Sequence, residues 1–136
     1  MRSSSTLSDR EWAMKPVILV ADDVSSVRES LAMALVEAGC EVVTVSNGHE
    51  ACRALKQRTF DALVCDLWMP GESGIQVLKF AIAECPGIRI VAITGGGPGI
   101  TMESAASLAG VWGAAKIFLK PFDERQLVEF LLKPNC

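Results

Sequence analysis

The chain has 136 residues, half of them apolar, with 13 Lys and Arg against 16 Asp and Glu and a net charge of −3. That length suits one domain with a real core, and the mild acidity argues against a nucleic-acid binder, which usually presents a basic surface. No apolar run approaches the roughly 20 residues needed to span a bilayer. The N-terminus lacks a signal peptide's apolar segment, so a cytoplasmic protein is expected, with no membrane partner.

The first 14 residues are polar and serine-rich and read as a flexible tail, leaving 15–136 as the folded domain. From Pro16 onward two patterns alternate. Short β-branched and apolar runs predict strands over Val17–Ala21, Glu41–Val45, Ala62–Cys65, Ile88–Ile93 and Ala115–Leu119. Helical spacing fills the intervals. Val27, Leu31, Ala34, Leu35 and Ala38 mark a first helix stopped by Gly39. Ala51, Ala54 and Leu55 mark a second. Ile75, Leu78, Ala81 and Ile82 mark a third. Ile100–Ala109 is a weaker fourth, after a glycine-rich stretch at 95–99, and Leu127, Phe130 and Leu131 mark a fifth. The pairs Ser26/Glu29, Asn47/Glu50, Ser73/Gln76 and Asp123/Gln126 predict capping boxes or close relatives of them. Five strand–helix units imply an α/β fold, with a parallel sheet covered on both faces.

Ligands of such sheets bind at the carboxyl ends of the strands. Asp22 and Asp23 end the first strand, Asp66 the third, Thr94 the fourth and Lys120 the fifth. A convergent group of carboxylates suits Mg²⁺, which joins a few carboxylates to a phosphate. An ammonium beside it adds charge for phosphoryl oxygens. Asp66, the lone acid of its strand end, is the candidate nucleophile, and Asp22 and Asp23 the candidate metal holders. Neither GxGxxG after the first strand nor GxxxxGK[ST] occurs. The five cysteines match no CxxC or zinc spacing and read as buried or surface thiols. The single histidine, His49, reads as a surface residue.

The segments VILVADD (17–23), DALVCDLWMPGESGIQVL (61–78), IRIVAIT (88–94) and KIFLKPF (116–122) resemble the receiver domains of two-component response regulators. The resemblance implies a flavodoxin-like doubly wound (βα)₅ fold of strand order 2-1-3-4-5. It implies Asp66 as phosphorylated aspartate and Asp23 as a direct Mg²⁺ ligand. Asp22 would be a ligand directly or through water, and the Trp68 backbone carbonyl a further one. Thr94 would be the switch hydroxyl, Lys120 the cation shared by acceptor and phosphate, and Lys120–Pro121 a cis peptide. The usual rotating aromatic is replaced by Ile117, with Phe118 beside it. A histidine kinase or phosphotransfer protein would donate the phosphoryl group. A downstream effector would read the fourth helix, fifth strand and fifth helix. Only KPNC follows the last predicted helix, so output by protein contact is expected of a complete chain, and a detached output domain of a piece. Two other readings are a receiver that binds partners without phosphorylation and an aspartate-nucleophile phosphatase. The first usually lacks an acid or the lysine, and none is missing. The second usually carries an acid two residues past the nucleophile, where Trp68 stands.

Overall fold

A computed structural model describes residues 15–69, 73–95 and 113–133. Its strands are β1 Val17–Ala21, β2 Glu41–Val45, β3 Ala62–Asp66, β4 Arg89–Thr94 and β5 Lys116–Leu119. Its helices are α1 Ser25–Glu37, α2 Gly48–Gln57, α3 Gly74–Glu84 and α4 Glu124–Leu132. All strands are parallel, in the order β2-β1-β3-β4-β5. The first two strands match the sequence reading residue for residue. Strand β3 runs one residue longer than expected and β5 starts one residue later, while β4 is shifted by one residue at both ends. The predicted tail, the glycines at 96–99, the predicted fourth helix at 100–109 and Cys136 lie outside the described residues.

Strand periodicity sorts the core into two layers. Ile18, Val20, Val64, Val91, Ile93 and Phe118 pack with Leu31 and Leu35 of α1 and Leu127 and Leu131 of α4. Leu19, Leu63, Cys65, Ile90, Ala92 and Ile117 pack with Ala51 and Leu55 of α2 and Val77, Leu78 and Ala81 of α3. Each fully buried Leu or Ile contributes roughly 1.5–3 kcal/mol through removal from water. Ile82, expected in the α3 stripe, is instead half-exposed; the helix turns Val77 inward and leaves Ile82 on the flank of the buried stripe.

Helix ends follow local chemistry. Ser73 and Gln76 form the complete capping box. Asn47 accepts from the Glu50 N–H, while the Glu50 carboxylate reaches back to Ser46 rather than to the cap. Asp123 accepts from the Arg125 N–H, one residue short of the predicted Gln126 partner. The predicted Ser26 cap is a correction. Helix α1 starts at Ser25 with Val24 as N-cap and no side-chain cap. Asp22 takes the Val24 N–H and closes the turn first. At the other end of α1, Gly39 sits at φ +100°, a region that glycine occupies without steric cost. Its N–H donates to the Val36 carbonyl and the Cys40 N–H to the Leu35 carbonyl, which satisfies two end carbonyls of the helix. Because the strands are parallel, the carboxyl ends of β1, β3, β4 and β5 lie along one edge of the sheet.

Candidate functional site

Asp22, Asp66 and Thr94 are the buried polar or charged side chains among the described residues. All three lie at the carboxyl edge of the sheet. Burying such groups is costly without partners, so their placement marks a built site.

Asp22 follows β1 and is fully buried, while the next residue, Asp23, faces solvent. One Asp22 carboxylate oxygen, Oδ1, accepts from the Val24 N–H at 2.8 Å. The Asp22 backbone carbonyl accepts from Arg28 Nη1 at 2.8 Å. Asp66 ends β3. Its Oδ1 accepts from the Trp68 N–H at 3.0 Å, and its Oδ2 from Lys120 Nζ at 3.1 Å. Lys120 follows β5, and the same Nζ lies 3.0 Å from Asp22 Oδ2. Thr94 ends β4, where its carbonyl accepts the Lys120 N–H at 2.8 Å. The Leu67 N–H donates to the Ile93 carbonyl at 2.8 Å, which ties the acceptor strand to the same edge. Lys120–Pro121 is cis.

The charges explain what the pocket can hold. Burial pushes the Asp66 carboxyl above the ordinary aspartate value. The neighbouring Asp22 charge adds to this, while the Trp68 N–H and Lys120 pull the other way. Burial works to lower the Lys120 ammonium, but hydrogen bonding and the charges of Asp22 and Asp66 outweigh it, so the net shift is upward. The lysine is therefore held charged. Asp22, Asp23 and Asp66 offer carboxylate oxygens within 4.8 Å of one another. Three carboxylates against one ammonium leave the pocket negative. Asp22 Oδ2 is fully buried and close enough to Lys120 for ion pairing, but no donor is aligned on it for a hydrogen bond. An all-oxygen donor set with excess negative charge and an under-satisfied buried oxygen fits a hard divalent cation such as Mg²⁺.

Two glycine and thiol contacts shape the acceptor from behind. A Cβ on Gly74 would stand 2.6 Å from Leu67 Cα and closer still to the Asp66 carbonyl oxygen. Only glycine lets α3 start this near the end of β3. Behind the same turn, the buried Cys65 Sγ lies 3.4 Å from the Asp66 carbonyl oxygen, and burial raises this thiol well above its usual range. The thiol therefore stays neutral and acts as packing.

The structure brings together Asp22, Asp23, Asp66 and Lys120 as the sequence reading expected, with Thr94 buried at the adjoining strand end. The Trp68 backbone joins through its N–H to Asp66, and its side chain is 56% exposed. His49 lies on the surface as expected. The Arg28 contact to Asp22 was not foreseen, because an arginine in a first helical turn carries no sequence signal for a backbone carbonyl six residues earlier.

Fold and site together define an α/β domain whose sheet edge builds an acidic, lysine-bearing pocket suited to a cation and a phosphoryl group. Residues 18–132 match the response regulator receiver domain family. The chain belongs to that family, whose members act as phosphorylation-driven switches and bind Mg²⁺ at such an aspartate cluster. It is 36% identical over 107 residues to the DNA-binding transcriptional regulator NtrC of Salmonella typhimurium, covering 79% of this chain but 22% of that protein. The chain thus spans about a fifth of that relative's length. Among solved structures, the Vibrio cholerae chemotaxis protein CheY4 superposes with a TM-score of 0.77 at 25% identity, covering 89% of this chain and 99% of that one. A Burkholderia pseudomallei response regulator solved with a phosphorylated aspartic acid, calcium ion and citrate gives 0.75 at 25% identity, covering 85% and 66%.

Proposed function

We propose that Asp66 accepts a phosphoryl group from the phosphohistidine of a histidine kinase or phosphotransfer protein, and that the change is read by contact with an effector protein. The observation that carries this reading is one ammonium, Lys120 Nζ, within 3.1 Å of both Asp22 and Asp66 at the mouth of a three-carboxylate cluster. In the reaction an Asp66 oxygen attacks phosphorus and the P–N bond to the donor breaks. The Trp68 N–H holds the other Asp66 oxygen and so aims the attacking one. Lys120 then transfers from the acceptor carboxylate to the phosphoryl oxygens, where it offsets the added charge. The Thr94 hydroxyl supplies a further donor to the phosphoryl group. Asp22, Asp23, Asp66 and the Trp68 carbonyl would hold Mg²⁺, which when bound supplies charge neutralisation for the phosphoryl oxygens.

The added charge of roughly −1.5 to −2 shifts a two-state equilibrium. The readout face is read as β5, α4 and the segment predicted as the fourth helix. The site is read as a cytoplasmic one, acting without direct nucleic-acid contact by this domain. Among the described residues no helix is long and apolar enough to cross a membrane. The phosphorylated aspartic acid and calcium ion of the Burkholderia relative support the same chemistry here. The test is incubation with acetyl phosphate and Mg²⁺ followed by intact mass. One phosphoryl addition is expected, lost in Asp66→Asn and on chelation; an addition that survives Asp66→Asn overturns the assignment.

A further inference from the structure

A cavity of about 360 Å³ opens beside Lys120. The described residues lining it are Val27 of α1, Gly95 after β4, the turn residues Lys120, Pro121 and Phe122, and Glu124 in the first turn of α4. Its walls are mainly apolar. Of its two charged side chains, Lys120 is already engaged with Asp22 and Asp66. Glu124, half-buried, is the other, and it is an anion. A recess that shares its lysine with the acceptor, and presents apolar walls and one carboxylate, suits a small flat ring bearing an N–H.

We infer that this cavity seats the leaving group of the phosphoryl donor, and that Glu124 selects N-phosphorylated azoles, such as phosphoimidazole or phosphohistidine, over acyl phosphates. The inference rests on Asp66 being the acceptor and adds to that reading the side chain that discriminates between donors. The chemistry separates the two donors. With phosphoimidazole, an Asp66 oxygen forms a bond to phosphorus, the P–N bond breaks and its electron pair returns to the ring nitrogen. The second ring nitrogen keeps its proton, so neutral imidazole leaves. A carboxylate accepting that N–H favours the protonated donor, which has the better leaving group. With acetyl phosphate the P–O bond breaks and acetate departs as an anion. Glu124 then opposes a charge that grows as the bond breaks. One side chain thus acts in opposite directions on the two donors.

The test uses the full chain with Mg²⁺ and follows phosphoryl loading by intact mass, with acetyl phosphate and with phosphoimidazole. Wild type is compared with Glu124→Gln, Glu124→Lys and the exposed same-helix control Glu129→Gln. One charge several ångströms away, partly screened by water and salt, changes a rate by a few-fold. Glu124→Gln is therefore expected to lower the phosphoimidazole-to-acetyl-phosphate rate ratio about three- to tenfold. Glu124→Lys should lower it further, and Glu129→Gln should leave it unchanged. Thermal unfolding of each variant shows that the fold is retained. If both donors load Asp66 and the ratio does not move, or moves equally in Glu129→Gln, the inference is overturned while the acceptor assignment stands. If neither donor loads wild type, the acceptor assignment falls and this inference with it.

Discussion

Gly74→Ala places one methyl group between the start of α3 and the end of β3. In an open helical position this change would be favourable, by up to about 1 kcal/mol of helix propensity. Here the new Cβ stands 2.6 Å from Leu67 Cα and nearer still to the Asp66 carbonyl oxygen, both backbone atoms. Ordinary carbon contacts lie at about 3.5–4.0 Å, so the two segments must part by about 1 Å. Backbone yields less easily than a side-chain tip. Leu67 is also pinned to β4 by its bond to the Ile93 carbonyl, and Gly74 to Leu67 by a 3.2 Å bond. Overpacking of this kind costs about 1–3 kcal/mol, which exceeds the propensity gain. The urea midpoint is expected to fall by roughly 1 M, given slopes of about 1–3 kcal/mol/M for small domains. Asp66 moves with its carbonyl, and a misplacement of about 1 Å can cost on the order of 100-fold in a positioned reaction. Loading from acetyl phosphate should therefore slow at least about tenfold. A Gly74→Ala protein that is as stable as wild type and loads at the wild-type rate refutes the reasoning.

Asp66→Asn should stabilise the metal-free protein at neutral pH. The folded carboxyl titrates above its unfolded value, so the folded state holds more protons between the two values. Stability of the wild type then falls as pH rises through that window, and the gap to Asp66→Asn opens above it and closes below the ordinary aspartate value. Thermal unfolding in chelator across pH checks this, and saturating Mg²⁺ should shrink the gap by stabilising the wild-type acids. Arg89→Met removes a guanidinium whose Nη1 meets the carbonyls of Phe130 at 3.2 Å and Leu131 at 2.9 Å, at the end of α4. It should cost about 1–2 kcal/mol by denaturant titration and speed amide exchange at the end of that helix. Phe118→Leu should lower stability by about 1 kcal/mol through lost packing with Phe122, yet leave the acetyl phosphate loading rate within about twofold of wild type. A large loss of loading would show that the aromatic couples to the site.

Much of this architecture is legible in the residues themselves. Strand β1 is a short apolar run after Pro16, and parallel burial leaves such a run little choice, while the edge strand β2 is marked by its β-branched residues between Gly39 and Ser46. The site is legible because strand ends converge, so the sequence positions of Asp22, Asp66, Thr94 and Lys120 put all four at one sheet edge. The start of α1 is not. Ser26 and Glu29 have capping chemistry, but Asp22 lies nearer the turn and its carboxylate takes the Val24 N–H. Local pattern could not weigh a buried acid against an exposed serine. Ile82 misled for a related reason: both Ile82 and Val77 lie near the apolar arc of α3, and the sheet beneath decides which one is covered. Arg28 at the Asp22 carbonyl, and the closeness of Gly74 to β3, are long-range facts that no spacing encodes.

The placement of Ile117 and Phe118 constrains how a phosphorylated site can signal. Side chains alternate faces along a strand. In β4, Ala92 faces α2 and α3, and Ile93 faces α1 and α4, so Thr94 belongs to the Ala92 side. In β5, Ile117 shares that side, whereas Phe118 points to the opposite layer and meets the Phe122 ring at 5.9 Å. Thr94 pairs in register with Leu119, again on the Ile117 side. The aromatic of β5 is thus separated from the Thr94 hydroxyl by the thickness of the sheet. A relay from Thr94 across its own face must move aliphatic groups, Ile117 and Leu119. The route to Phe118 runs instead along the backbone, from the Thr94 carbonyl through the Lys120 N–H to the turn that carries Phe122. A charge change at Asp66, as proposed above, would therefore reach the β5–α4 turn through Lys120, and the Phe118–Phe122 pair would follow the turn rather than the threonine.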